Sequence, residues 1–152
     1  MKHIMAYASQ CWMKRVQIFL AFICLHSLAY ATGNEESIKP IPKTIPAIWQ
    51  AVDEQVTAIN EAIANNQLDQ IHRHAFTIAD LVKSLPALSN ALSEQQRTDL
   101  NKQIGYIDAL AVRLDKTGDA KDKEGTQANF EKLQKVLSQI RAQYGDVLKS
   151  SK

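Results

Sequence analysis

Residues 93–117 read SEQQRTDLNKQIGYIDALAVRLDKT. Apolar side chains recur at Leu100, Ile104, Ile107, Ala111 and Leu114 in steps of three and four. Steps of that size place all five on one side of a 3.6-residue helix, with polar residues filling the rest of each turn. Ser93-Glu94-Gln95-Gln96 is a capping-box pattern. In it the Ser93 hydroxyl takes a backbone N–H, and Gln96 reaches back to the Ser93 backbone. The segment predicts a helix over 94–117, stopped by Thr117-Gly118-Asp119. Gly105, inside it, lowers helix propensity and is read as a point of close helix–helix approach.

The same period extends outward in both directions. After the charged loop 119–125, DAKDKEG, a helix is expected over 126–144. Its stripe is Phe130, Leu133, Val136 or Leu137, Ile140 and Tyr144, with Gly145 as the residue that ends it. Asp115 or Asp119 is expected to receive the free N–H groups where this helix starts. Toward the N-terminus, Leu68, Ile71, Ala75, Ile78, Val82 and Leu85, with Phe76 and Ala79 beside them, predict a helix over 68–85. Pro86 ends it by disfavouring the α region at the residue before it, and 86–92 is read as a short extra turn. Ile48, Val52, Val56, Ile59 and Ile63, widened by Trp49, predict a helix over 46–64. Thr44 is its N-cap, Pro46 lies in its first turn, and Asn65 and Asn66 suit its end.

Four stripes of similar length, joined by short connections, predict an all-α fold. The simplest arrangement is an antiparallel up-down-up-down four-helix bundle over 44–149. A long hairpin that dimerises into a bundle would interrupt the stripes at mid-helix, and they are continuous.

Upstream the chain changes character. Residues 16–28, VQIFLAFICLHSL, follow Lys14 and Arg15 and precede Ala29-Tyr30-Ala31. A positive flank, a short apolar run and a small-x-small site describe a secretory signal peptide over 1–31. The run of about 13 residues falls short of the roughly 20 that span a bilayer. Met13 offers a second start directly before Lys14. Ile23 before Cys24 argues against lipidation. Residues 32–43, with Pro40 and Pro42, read as a flexible lead-in.

The whole chain has 152 residues and a formal net charge of +2. Removing 1–31 leaves fifteen basic and sixteen acidic side chains and no cysteine or methionine. Nothing is left for a disulfide, a thiolate nucleophile or a cysteine metal site. An exported chain without disulfides fits a bacterial periplasm. Neither the charge balance nor the mixed-sign loop at 115–124 provides the single-sign patch that nucleic acid requires.

No nucleophile elbow, glycine-rich phosphate loop or H-E-x-x-H is present, so the chain is read as a non-enzyme. C-type haem lacks its attachment motif, and b-type haem lacks a second axial ligand. Diiron needs two E-x-x-H motifs, whereas Asp69-x-x-His72 occurs once. The loop at 115–124 departs from the calcium pattern. Two histidines remain, His72 and His74. His72, next to Ile71, is placed at the edge of the core with a polar neighbour, and His74, the more exposed of the two, at the surface or a different seam. A short turn at 65–67 brings Glu61 opposite His72, and the third helix brings Asp108 to the same level. Glu61, His72 and Asp108 therefore make either a candidate site for a divalent metal such as zinc or a salt-bridge network.

The run His72-x-x-Ala75-Phe76-x-Ile78-x-x-Leu81-x-x-x-Leu85-Pro86 is followed by Ala111-x-Arg113-Leu114-Asp115-x-x-Gly118-Asp119. Asn129-x-x-x-Leu133 and Leu137-x-x-x-Arg141-x-x-Tyr144 come after these. Together they resemble small exported, periplasmic helical-bundle proteins of proteobacteria, some of them neighbours of heavy-metal efflux systems. The likeness spans residues 49–144. It implies a periplasmic accessory or protein-interaction role linked to metal handling; direct divalent-metal binding through His72 is the alternative. The chain is expected to have a protein partner and to be a monomer or homodimer. The likeness also implies structural roles for Arg113, Asp115 and Asn129, read as a hydrogen-bond network that fixes the turn at Gly118, with a binding site at the same end as the functional alternative.

Expression in a Gram-negative host should give a chain whose mass corresponds to a start near Thr32. A membrane-bound chain of full mass would contradict the export reading.

Overall fold

A computed structural model describes residues 40–145 and Leu148. The expected signal peptide and most of the lead-in lie outside the described residues. Within them the protein is all-α, with no strand. Four helices run in order: α1, Ile45–Ala64; α2, Ile71–Lys83; α3, Glu94–Asp119; and α4, Lys123–Ala142. Short 3-10 turns at Leu68–Gln70 and Leu85–Leu88 flank α2. Each helix packs on its neighbour in sequence, and α1 also meets α4. No described helix is long and apolar enough to cross a membrane.

The stripes bury as their spacing requires. Ile48, Ile59, Ile71, Ile78, Leu100, Ile107, Leu114, Leu133 and Ile140 have no measurable exposure. Val56, Phe76 and Ile104 are half-buried and pack against that core. Of the pair Val136 and Leu137, Leu137 is the buried one.

The caps follow local chemistry. Thr44 Oγ1 accepts the Ala47 N–H at 3.4 Å. Both halves of the Ser93 capping box form, with the Gln96 N–H on Ser93 Oγ at 3.3 Å and the Ser93 N–H on Gln96 Oε1 at 2.9 Å. The α1 end is a Schellman motif. Asn66 stands at φ 58°, and the Gln67 N–H reaches the Ala62 carbonyl at 2.8 Å.

Several boundaries differ from expectation. The segment 68–85 is not one helix, because its first turn, Leu68–Gln70, is 3-10. The extra turn expected over 86–92 is shorter and starts one residue earlier, at Leu85–Leu88. Thr117-Gly118-Asp119 does not stop α3, which continues to Asp119 with Gly118 helical and buried. The stop is Lys121, at φ 56°, and the Asp122 N–H closes a second Schellman motif on the Thr117 carbonyl at 2.9 Å. Asp122 then turns from end to beginning. Its carboxylate accepts the Gly125 N–H at 2.9 Å and caps α4, in place of Asp115 or Asp119. Helix α4 thus begins at Lys123, one turn before Thr126. Thr126 is buried and donates its hydroxyl to the Asp122 carbonyl at 2.7 Å. Among the described residues no glycine has positive φ, so Gly145 is not a left-handed cap.

The close approach falls at Gly118 instead of Gly105. A methyl group on Gly118 would lie 2.7 Å from the Leu68 carbonyl oxygen and 3.2 Å from Ile71 Cβ. One on Gly105 would meet nothing within 4 Å.

The two glycines therefore predict opposite signs in urea unfolding. Gly118→Ala should cost about 1–3 kcal/mol by forcing α3 off the start of α2. Gly105→Ala, in open space on an exposed helical face, should stabilise by about 0.5–1 kcal/mol. Equal effects would remove the close contact from the account.

Candidate functional site

Three places combine polar chemistry with position. The first is the start of α2. His72 is exposed, and its Nδ1 donates to Asp115 Oδ1 of α3 at 2.8 Å. Its ring also lies 4.8 Å from that of Phe76, one turn along. Close by in sequence, Lys121 reaches Asp69 at 3.5 Å. His72 therefore has the carboxylate neighbour expected of it, but the neighbour is neither Glu61 nor Asp108. Asp108 pairs with Lys83 of α2 at 2.8 Å, and this hydrogen bond raises the Lys83 ammonium pKa above its ordinary value. Glu61 is exposed on α1. Among the described residues no three His, Cys, Asp or Glu side chains are placed to hold one metal ion.

The two histidines are reversed from expectation. His74 is the buried one, at 8% exposure. Its Nδ1 donates to Gln55 Oε1 of α1 at 2.8 Å, and Arg73 Nη2 donates to its Nε2 at 3.3 Å. The signal was present in the spacing. Steps of three, one and three from Ile71 through His74 and Ala75 to Ile78 put His74 within the stripe. His72 lies one position off it.

The network expected of Arg113, Asp115 and Asn129 does not form. Asp115 turns toward α2 and His72. Thr117 donates to the Arg113 carbonyl at 3.0 Å, while the Arg113 side chain lines a surface groove. Asn129 is half-buried on α4, and no side-chain hydrogen bond joins it to the other two. Backbone bonds from Lys121 and Asp122 hold the turn after α3 instead.

The second place is the far end of the core. Tyr144 is 1% exposed, and its hydroxyl lies 2.6 Å from Ser89 Oγ. Ser89 gives its own proton to the Leu85 carbonyl at 2.6 Å, so Tyr144 is the donor. Burial pushes the Tyr144 phenol above its ordinary value of 10.0, an effect that Ser89, able to donate to a phenolate, offsets only in part. Arg141 spreads over Trp49 with Cζ 4.5 Å from the ring centroid, and also pairs with Asp53. This unit ties α4 to α1 and was not foreseen, because its members lie about ninety residues apart in the chain.

The third place is the outer seam of α3 and α4. Tyr106 is 68% exposed. It stands beside a groove of about 280 Å³ floored by the buried Leu110 and the half-buried Val136, with the exposed Arg113, Lys132 and Lys135 at its edges. No carboxylate lines this groove. Tyr106, Leu110 and Arg113 follow one line of α3, and Lys132, Lys135 and Val136 follow one line of α4, both in helical steps.

No protein-family model, curated protein or solved structure matches the chain.

The histidine geometry predicts unequal costs on truncation. His74→Ala should lower stability by about 1–3 kcal/mol, since it removes a buried ring and leaves the half-buried Gln55 amide without its partner. His72→Ala should cost less than about 1 kcal/mol, because an exposed pair contributes little. Urea midpoints of the two variants make the comparison, and a larger loss from His72→Ala would contradict it.

Proposed function

We propose that this is an exported, periplasmic helical protein that works by binding another protein, through the seam of α3 and α4. The helices are read as an antiparallel up-down-up-down bundle. That reading is supported by the packing of each helix on its neighbour in sequence, the contact of α1 with α4, and the three-residue connection between α3 and α4 at the second Schellman turn. The segment 1–31 supports export by its charge, apolar run and cleavage pattern.

One observation carries the interaction reading. The stripes of all four helices are closed into the core, yet Tyr106 stands out beside a groove floored by Leu110 and Val136. Tyrosine presents a large rigid surface with a polar tip, and it is enriched at the centre of protein interfaces. The proposal includes no catalytic role.

His72 supports a second reading, in which the protein takes up a divalent ion directly. Asp115 holds its Nδ1, as carboxylates hold the histidines of zinc sites, and the His72 side chain is otherwise exposed. One imidazole falls short of the three or four ligands zinc takes, so this reading needs ligands from a second molecule.

The test is a photo-crosslinking amino acid at Tyr106, with Gln50 on the exposed side of α1 as control, in cells that export the protein. A discrete adduct at 106 and none at 50 is expected. No adduct at 106, or the same adducts from both positions, would contradict the interaction reading.

A further inference from the structure

We propose that the groove between α3 and α4 binds an acidic amphipathic segment of the partner protein. One apolar side chain would seat on Tyr106, Leu110 and Val136, and carboxylates on Arg113, Lys132 and Lys135. This rests on the interaction reading above and names the chemistry of the partner.

The charge pattern points to the occupant. Some exposed charges on α3 are paired, Lys102 with Asp99 and Asp108 with Lys83, and others such as Arg97 and Lys116 are not, among the described residues; what sets the groove apart is that three unpaired cations line it and no carboxylate does. Arg113, Lys132 and Lys135 form no ion pair among the described residues, and all three line the same groove. Lys132 and Lys135 lie one turn apart on α4 and line the groove together with Arg113 of α3. A ligand with carboxylates at that rim gains charge-assisted hydrogen bonds from these three side chains. The floor selects for more than charge. A groove of about 280 Å³ lies at or below the lower end of small-molecule pockets, roughly 300–1,000 Å³. It is long in the direction of the helices, because its lining follows one line on each of them. A partner helix carrying apolar anchors at helical spacing, flanked by Glu or Asp, meets both requirements.

The experiment uses the 15N-labelled protein and three synthetic 18-residue peptides of one helical pattern. Each carries Leu and Phe on one face, with Glu, Gln or Lys flanking them. The Glu peptide is expected to shift backbone resonances clustered on residues 106–113 and 132–139. It should bind at least tenfold tighter than the Gln peptide and weaken as salt is raised. The double variant Lys132→Glu, Lys135→Glu should lose at least tenfold for the Glu peptide and reverse the preference toward the Lys peptide. Both lysines are exposed, so the variant should keep the wild-type melting temperature. Equal binding of the Glu and Gln peptides would overturn the proposal, as would shifts centred on another face. So would self-association of the protein abolished by Tyr106→Ala, which would make a second copy the occupant. Lysine-dependent sedimentation with phosphatidylglycerol vesicles, without preference for the Glu peptide, would overturn it in favour of a membrane surface. A Tyr106 crosslink without any Glu preference leaves the interaction reading standing and the acidic partner refuted. Absence of the crosslink removes the interaction reading itself.

Discussion

The structure depends on the close passage of α3 over the start of α2, where Gly118 meets the Leu68 carbonyl and the Ile71 side chain. A backbone can approach that near only where no Cβ intervenes. Once α3 is that close, two chain reversals become neighbours: the one at Asn66, before α2, and the one at Lys121, after α3. Lys121 reaches Asp69 and Asp115 reaches His72 across the same junction. These exposed pairs add little energy of their own. They mark a register already set by the glycine and by the buried Leu68, Ile71 and Leu114.

That register positions the rest. From Gly118 the α3 stripe runs back through Leu114, Ala111, Ile107 and Leu100, and the opposite edge of the helix turns outward at Tyr106. The left-handed Lys121 and the Asp122 cap bring α4 back with almost no slack. Leu110 and Val136 therefore come together with the rim cations around them. At the far end Tyr144, Ser89, Trp49 and Arg141 close the core with one buried hydroxyl pair and one guanidinium laid on an indole. The groove is thus a by-product of two rigid helices held at their hinge. A mobile loop has no part in it, and a rigid surface loses less entropy on docking.

The sequence alone made the helices legible because their signal is local. Apolar steps of three and four, a capping box and Pro86 each act within a turn or two of themselves. The errors cluster where the cause is distant or where one residue serves two elements. Gly118 resembles a stop signal until Leu68, fifty residues earlier, is known to sit against it. Asp122 ends one helix and begins the next, so the charged stretch around it reads as loop. The candidate site fared worse than the fold. Glu61, His72 and Asp108 come together only if α2 and α3 pair with His72 level with Asp108, and the register is about two helical turns away from that: Asp108 meets Lys83, and His72 meets Asp115. Tyr106 drew no attention in the sequence, because an exposed tyrosine on a polar helix face has no signature until the facing helix supplies a groove.

The most direct test of the account is a nuclear Overhauser spectrum of the folded protein. The Gly118 α protons should show strong cross-peaks to the Leu68 α proton region and to the Ile71 side chain. The Gly118 amide should also exchange slowly with solvent. A Gly118 with no contact to residues 68–71 and a rapidly exchanging amide would contradict the crossing from which the register, the hinge and the groove follow.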